Sequence, residues 1–202
     1  MDKIAHFFSW ILSPILMPTY GVFLCMWITV LSVLPLSLRW TVVGTVFLIT
    51  CVVPALAILL MYWMGIISNP ALNNRTERYV PYVITMLCYL GAAFYMHRIH
   101  APMWMTMFMV GGAGASMLSC IVNVWWKISA HAAAMGGLVA LTFRIASAGV
   151  YVHPILPWLL AFVVLAGVLG TSRLVLERHT FWQVMAGTAN GFIWVYLLTM
   201  IE

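Results

Sequence analysis

Two histidines and a group of cations carry most of what this chain could do chemically. "KISAH" at 127–131 and "TSRLVLERHTFWQ" at 171–183 supply Lys127, Ser129, His131, Arg173, His179 and Gln183, and "NRTERYVP" at 74–81 adds Arg75 and Arg78. Guanidinium and ammonium donors answer the negative charge that gathers on the equatorial oxygens of a phosphoryl group in transit. A neutral imidazole can attack phosphorus, and a second, protonated ring can hand a proton to the leaving oxygen. The inventory suits phosphoryl transfer to water with neither metal nor cofactor.

The scarcity of acids excludes much else. Asp2 is the only aspartate, and the glutamates are Glu77, Glu177 and Glu202. Aspartate-rich magnesium motifs and an aspartyl-phosphate nucleophile are therefore ruled out. Cys25, Cys51, Cys88 and Cys120 lie singly in apolar runs, without a CxxC pair, and read as small core residues. "HRIH" at 97–100 spaces two imidazoles by three residues but has no third ligand nearby in sequence, so His97 and His100 read as interfacial. His6 and His153 are expected to lie outside any site. No basic run exists to hold nucleic acid.

What must position these residues is a membrane bundle. Of 202 residues, 65% are hydrophobic and 6% charged, and the mean hydropathy is +1.07; a soluble domain needs far more polar surface. Apolar segments near 11–34, 41–68, 80–97, 102–123, 131–151, 154–171 and 180–201 have the length of a bilayer crossing. The expectation is one all-α domain over residues 1–202, a polytopic bundle of six to seven spanning helices. The N-terminal run reads as retained, with Pro14 and Pro18 dividing it into an interfacial and a spanning piece. Tryptophans at 40, 104, 125, 126, 158 and 182 fall near segment ends, as rings that prefer the headgroup level do. Gly111, Gly112, Gly114, Ala115 and Ser116 would let the fourth segment pack closely on a neighbour.

Counting crossings brings the chemistry together. The loops at 69–81, 123–131 and 171–183 all return to the face on which the chain starts, and they hold Arg75, Arg78, Lys127, His131, Arg173 and His179. Charges that merely set orientation are the bland alternative. Against it, each loop puts its charge at a helix end, and the other face carries Arg39, Arg98 and Arg144. Cations with few acidic neighbours beside lipid are costly unless an anion sits among them.

These stretches resemble the three signatures of the type-2 phosphatidic acid phosphatase superfamily over roughly residues 70–190. "SRLVLERHTFWQ" resembles the third, Ser-Arg, five residues, His, three residues, Asp; "KISAH" the second, Pro-Ser-Gly-His; and "NRTERYVP" a compressed first, Lys, six residues, Arg-Pro. The resemblance implies His179 as the nucleophile that becomes phosphohistidine and His131 as the acid for the leaving group. It implies Arg173 and Ser129 as phosphate ligands, Arg78 as the first-motif arginine with Arg75 in place of its lysine, and the Ala130 amide in place of that of the usual glycine. Ser129 is also placed to cap the fifth helix.

The sequence departs from the pattern at two points. Gln183 stands where the family has aspartate, four residues past His179 and so on the same helix face; its carbonyl can accept from the ring but brings no charge. Arg78 is separated from Pro81 by two residues, and no lysine lies six residues before it. Lys127 has no counterpart in the family's second motif. It suits either a second phosphate or a headgroup anchor.

The expected function is hydrolysis of a lipid phosphate monoester or terminal diphosphate at the bilayer surface, metal-independent and through phosphohistidine. Polyprenyl diphosphate, phosphatidylglycerol phosphate, phosphatidate, a phosphorylated sphingolipid and a lipid A phosphate are all candidates. The alternative is a protein of the same fold that grips or transports anionic lipid without cleaving it, Gln183 marking the loss of catalysis; a third is a structural membrane subunit. Lys3, Arg75, Arg78, Lys127, Arg173 and Arg178 outnumber the three arginines opposite, which favours a cytoplasmic site, but removing the four presumed ligands reverses the balance. The resemblance leans to an outward-facing site in a bacterial inner membrane.

Overall fold

The computed structural model describes residues 2–72 and 74–201; Met1, Asn73 and Glu202 lie outside them. The described residues form helices throughout: α1 (Asp2–Ile11), α2 (Met17–Ile28), α3 (Leu36–Phe47), α4 (Val53–Trp63), α5 (Tyr79–Arg98), α6 (Met103–Val122), α7 (Ala130–Ala148), α8 (Leu156–Val175) and α9 (Phe181–Thr199). A single bridge, Thr29 with Tyr151, is the one β-type pairing among them.

Among the described residues, five rods are long and apolar enough to cross a bilayer: Leu36–Trp63, Thr76–Arg98, Met103–Val122, Ala130–Ala148 and Leu156–Val175. The chain is an all-helical membrane protein. α2 is apolar but shorter, and α9, 19 residues long, carries Gln183, Thr188 and Asn190. The expected segment 11–34 is not one helix. The chain bends between α1 and α2, with Pro18 in the first turn of α2, where its missing N–H leaves no bond broken. The expected segment at 41–68 begins five residues earlier, at Leu36, and fuses α3 to α4 through a π-helical turn, Leu48–Val52. That turn lies just ahead of Pro54, whose ring would otherwise press on the carbonyl four residues back.

Packing sets α7 at the centre and α8 at the edge: α7 is the most buried of the five rods and α8 the least. Leu156, Leu160, Val163 and Val164 of α8 face outward, which suits hydrocarbon rather than water. α9 lies tight on α7. A methyl at Gly191 would fall on the Ala133 carbonyl, and one at Gly187 on that of Ser129, so only glycine permits this approach. On its other side Asn190 donates its amide to the Ala115 carbonyl and the Ser119 hydroxyl of α6, both at 2.9 Å. At the far end of the bundle, α7 stops at Gly149 in the left-handed conformation (φ 66°). The chain beyond it pairs with the end of α2 through Val30 N–H to Val150 O and Val152 N–H to Ile28 O.

Candidate functional site

The site is built where α5, α7 and α9 begin and α8 ends. The start of α7 and the first turn of α9 are stitched together by the Ser129 N–H, which donates to the Gln183 carbonyl at 3.3 Å. Gly187 admits the Ser129 carbonyl one turn along. This clamp brings His131 and His179 to the rim of the same cavity.

The α8–α9 turn aims the third-loop residues. α8 closes with paired bonds, Glu177 N–H to Leu174 O at 2.9 Å and Arg178 N–H to Arg173 O at 3.1 Å, the arrangement known as a Schellman motif. Glu177 takes its left-handed position (φ 51°), which glycine usually fills. The chain then folds back, and Arg173, Arg178 and His179 all line the cavity.

Gln183 decides the state of His179. Its Oε1 accepts the Thr180 N–H at 3.2 Å and lies 3.2 Å from His179 Nδ1. A backbone N–H can only donate, so the atom facing it is the oxygen and not the amide nitrogen. That oxygen in turn requires a hydrogen on Nδ1, which leaves Nε2 of a neutral ring with its lone pair free. Burial, and then the charges of Arg173, Arg78 and Lys127, hold the His179 pKa down at about 3 despite the Gln183 bond. The ring is uncharged across the physiological range.

Three arginines line the cavity: Arg78, Arg173 and Arg178. Arg78 is buried, its Nε donating to the Leu72 carbonyl at 2.8 Å. Arg173 is buried with its Nε unpartnered and its Nη1 3.4 Å from the Ser9 hydroxyl. Lys127 lies near enough that burial, followed by Arg78, Arg173 and Arg178, lowers its pKa. The nearest acid of the first loop is turned elsewhere: Glu77 accepts from Ser68 N–H and Oγ and from Asn74. A buried donor without a partner in a cluster of like charge suits a negatively charged group.

Other expected residues stand differently. Arg75 is not among the cavity residues; its carbonyl accepts from Asn123 Nδ2 at 2.9 Å, tying the first loop to the second. Ser129 is fully buried and caps α7, its Oγ accepting the Ala132 N–H at 3.3 Å. The cavity wall there is Ala130 and His131. His131 Nε2 lies 3.1 Å from the Ser9 carbonyl, so this ring carries its hydrogen on Nε2, the opposite tautomer to His179. The N-terminal helix joins the site, and His6, expected outside it, lines the cavity beside Ser9 and Trp10. Nothing in the sequence marks Ser9, and Arg178 reads there only as an orientation charge. Among the described residues no three of His, Cys, Asp and Glu gather as a metal site.

No family model, curated protein or solved structure matches this chain.

The cavity itself extends the chemistry. Its volume is about 660 Å³, and from the cationic mouth it runs between the helices past Ala134, Tyr89, Gly112 and Phe108. Tyr89 lies eleven residues along α5 from Arg78, roughly 16 Å at a helical rise of about 1.5 Å per residue. One end can hold an anion and the other a hydrocarbon chain.

Proposed function

We propose that this protein is an integral membrane lipid phosphatase of the phosphatidic acid phosphatase type. It hydrolyses a phosphate monoester or the terminal bond of a diphosphate through a phosphohistidine at His179. The observation that carries the reading is the joining of a buried arginine cluster to a deep apolar slot in one cavity. A water-soluble phosphate has no use for the slot, and a neutral lipid has none for the arginines.

In this mechanism Arg173 and Arg78 take the phosphate oxygens, with Arg178 adding charge at the rim and Lys127 from outside the cavity lining. Nε2 of His179 attacks phosphorus as the bond to the lipid oxygen breaks. The bound phosphate brings the negative charge that a protonated His131 needs beside it, and His131 gives that proton to the leaving oxygen. Water, losing a proton to the now neutral His131, then attacks the phosphohistidine; the P–N bond breaks and inorganic phosphate departs. Gln183 keeps Nδ1 protonated throughout, so that only Nε2 reacts.

In this reading the chain crosses six or seven times, the larger number including α2 and α9, with the site on the outward side of a bacterial inner membrane. Lipid phosphates with long prenyl or acyl chains are the substrate class. The test is phosphate release by detergent-purified protein, in EDTA, from a panel of lipid phosphates and diphosphates, beside His179→Ala and His131→Ala. Release that is lost in both variants supports the mechanism.

A second reading rests on Gln183, which supplies no negative charge to a phosphorylated, cationic ring. Under it the same cavity holds anionic lipid without cleaving it. Saturable lipid phosphate binding that depends on Arg173, with no release from any member of the panel, would establish it.

A further inference from the structure

α1 ends against the cavity, and its last carbonyls find different partners. Those of Phe8 and Trp10 accept from the N–H groups of Leu12 and Ser13, and that of Ile11 from the Tyr20 hydroxyl at 3.0 Å. The Ser9 carbonyl takes the His131 Nε2–H at 3.1 Å, while the Ser9 hydroxyl stands 3.4 Å from Arg173 Nη1. One residue thus touches the ring on α7 and the guanidinium on α8. Ala5 and Ser9, one turn apart, are the buried residues of α1; Ile4 and Phe7 are exposed on the opposite side, the apolar back of a helix lying against lipid.

We propose that Ser9 is a further residue of the anion site, contributed by the N-terminal helix. Its hydroxyl binds the phosphate together with Arg173, and its carbonyl positions His131. A hydroxyl has one hydrogen and two lone pairs, so Ser9 Oγ can accept from Arg173 and donate to a phosphate oxygen at once. The unpartnered Nε of Arg173 leaves the guanidinium a second edge for the same anion. The carbonyl can be met only by a ring nitrogen that carries hydrogen, and so it keeps a proton on the face of His131 towards α1. The inference rests on reading the cavity as a phosphate site, but it does not require hydrolysis.

The probe is therefore inorganic phosphate, titrated into the detergent-purified full chain. Ser9→Ala is expected to weaken its binding about 10-fold, the loss of one hydrogen bond to a charged group. Ser9→Thr, which keeps the hydroxyl, restores it. Should Ser9→Ala fold poorly, Ser9→Cys with maleimide labelling read at that residue gives a second measure, phosphate being expected to slow the labelling. Unchanged binding in Ser9→Ala, or labelling that phosphate does not slow, overturns the proposal even if the wild type releases phosphate from lipids. Ser9-dependent binding in a protein that cleaves no lipid phosphate upholds it and overturns the hydrolytic reading alone. A wild type that binds no phosphate overturns the proposal as well, and leaves the hydrolytic reading to the release panel.

Discussion

The amide oxygen of Gln183 sits 3.2 Å from Nδ1 of His179 and 3.2 Å from the N–H of Thr180. The second contact makes the first unambiguous. A bond that begins α9 thereby selects which nitrogen of the neighbouring ring keeps its lone pair, and the Thr180 N–H fixes the amide with its oxygen towards that ring.

Replacing Gln183 separates orientation from charge. Gln183→Leu loses the acceptor and is expected to slow phosphohistidine formation by 10²-fold or more; a comparable loss of tautomer control in a serine protease costs about 10⁴. Gln183→Glu keeps the length, adds a negative charge beside the ring, and should speed the same step at least 10-fold. Single-turnover labelling with a radioactive lipid phosphate reads both.

Acid should destabilise the fold through His179. The folded pKa is depressed to about 3, whereas an unfolded histidine titrates near 6.5. Above about pH 6.5 both states are neutral and His179 has no effect. As pH falls from there towards 3, the unfolded chain takes the proton first, and stability declines. The melting temperature of His179→Gln should therefore fall less than that of the wild type between pH 7 and pH 4.

The slot should be separable from the mouth. Ala134 lines the cavity one turn beyond His131, and Ala134→Phe would fill the path of a chain while leaving the arginines in place. KM for a long-chain lipid phosphate is expected to rise roughly 10-fold or more. A short-chain, water-soluble phosphate ester should be hydrolysed as before.

Two glycines should respond with opposite signs. Gly191→Ala drives a methyl into the Ala133 carbonyl, and prising α7 from α9 is expected to cost about 1–3 kcal/mol. Gly44 in α3 has nothing within 4 Å of a built methyl, so Gly44→Ala should stabilise by up to about 1 kcal/mol. Thermal melting in one detergent checks the pair.

Glu177 is exposed and left-handed. Glu177→Gly should stabilise the α8–α9 turn by about 1 kcal/mol, visible as a higher melting temperature. Phosphate binding should not change, because the turn keeps its shape.

The helical architecture was legible because apolar runs of crossing length have few other uses. The gathering of Arg78, His131, Arg173 and His179 was legible from crossing parity, and the Gln183 contact from helical spacing. Side-chain direction within the loops was not. Arg75 and Arg78 bracket a single 3₁₀ turn, Thr76–Arg78, too short for the sequence to show which of them turns inward. Ser129 carried two possible uses, and the geometry buries it at the helix cap, behind the cavity wall. Ser9 was hidden by its surroundings, since a neutral hydroxyl in an apolar run looks like any tolerated serine. The division of residues 11–34 was signalled by Pro14 and Pro18, but the end of α2 at Ile28 was not.

The left-handed turn at Glu177 gives the interval between Arg173 and His179 a geometric meaning. On an unbroken helix, six residues at about 100° each would carry the second side chain well around the axis from the first, and the two could not share a target. The reversal folds that arc back on itself, so the count of five intervening residues is the length of a hairpin path and not a helical period. One residue more or fewer would re-aim the ring while leaving both neighbouring helices whole. What reads in the chain as a spacing is thus a ruler, and its unit is the turn.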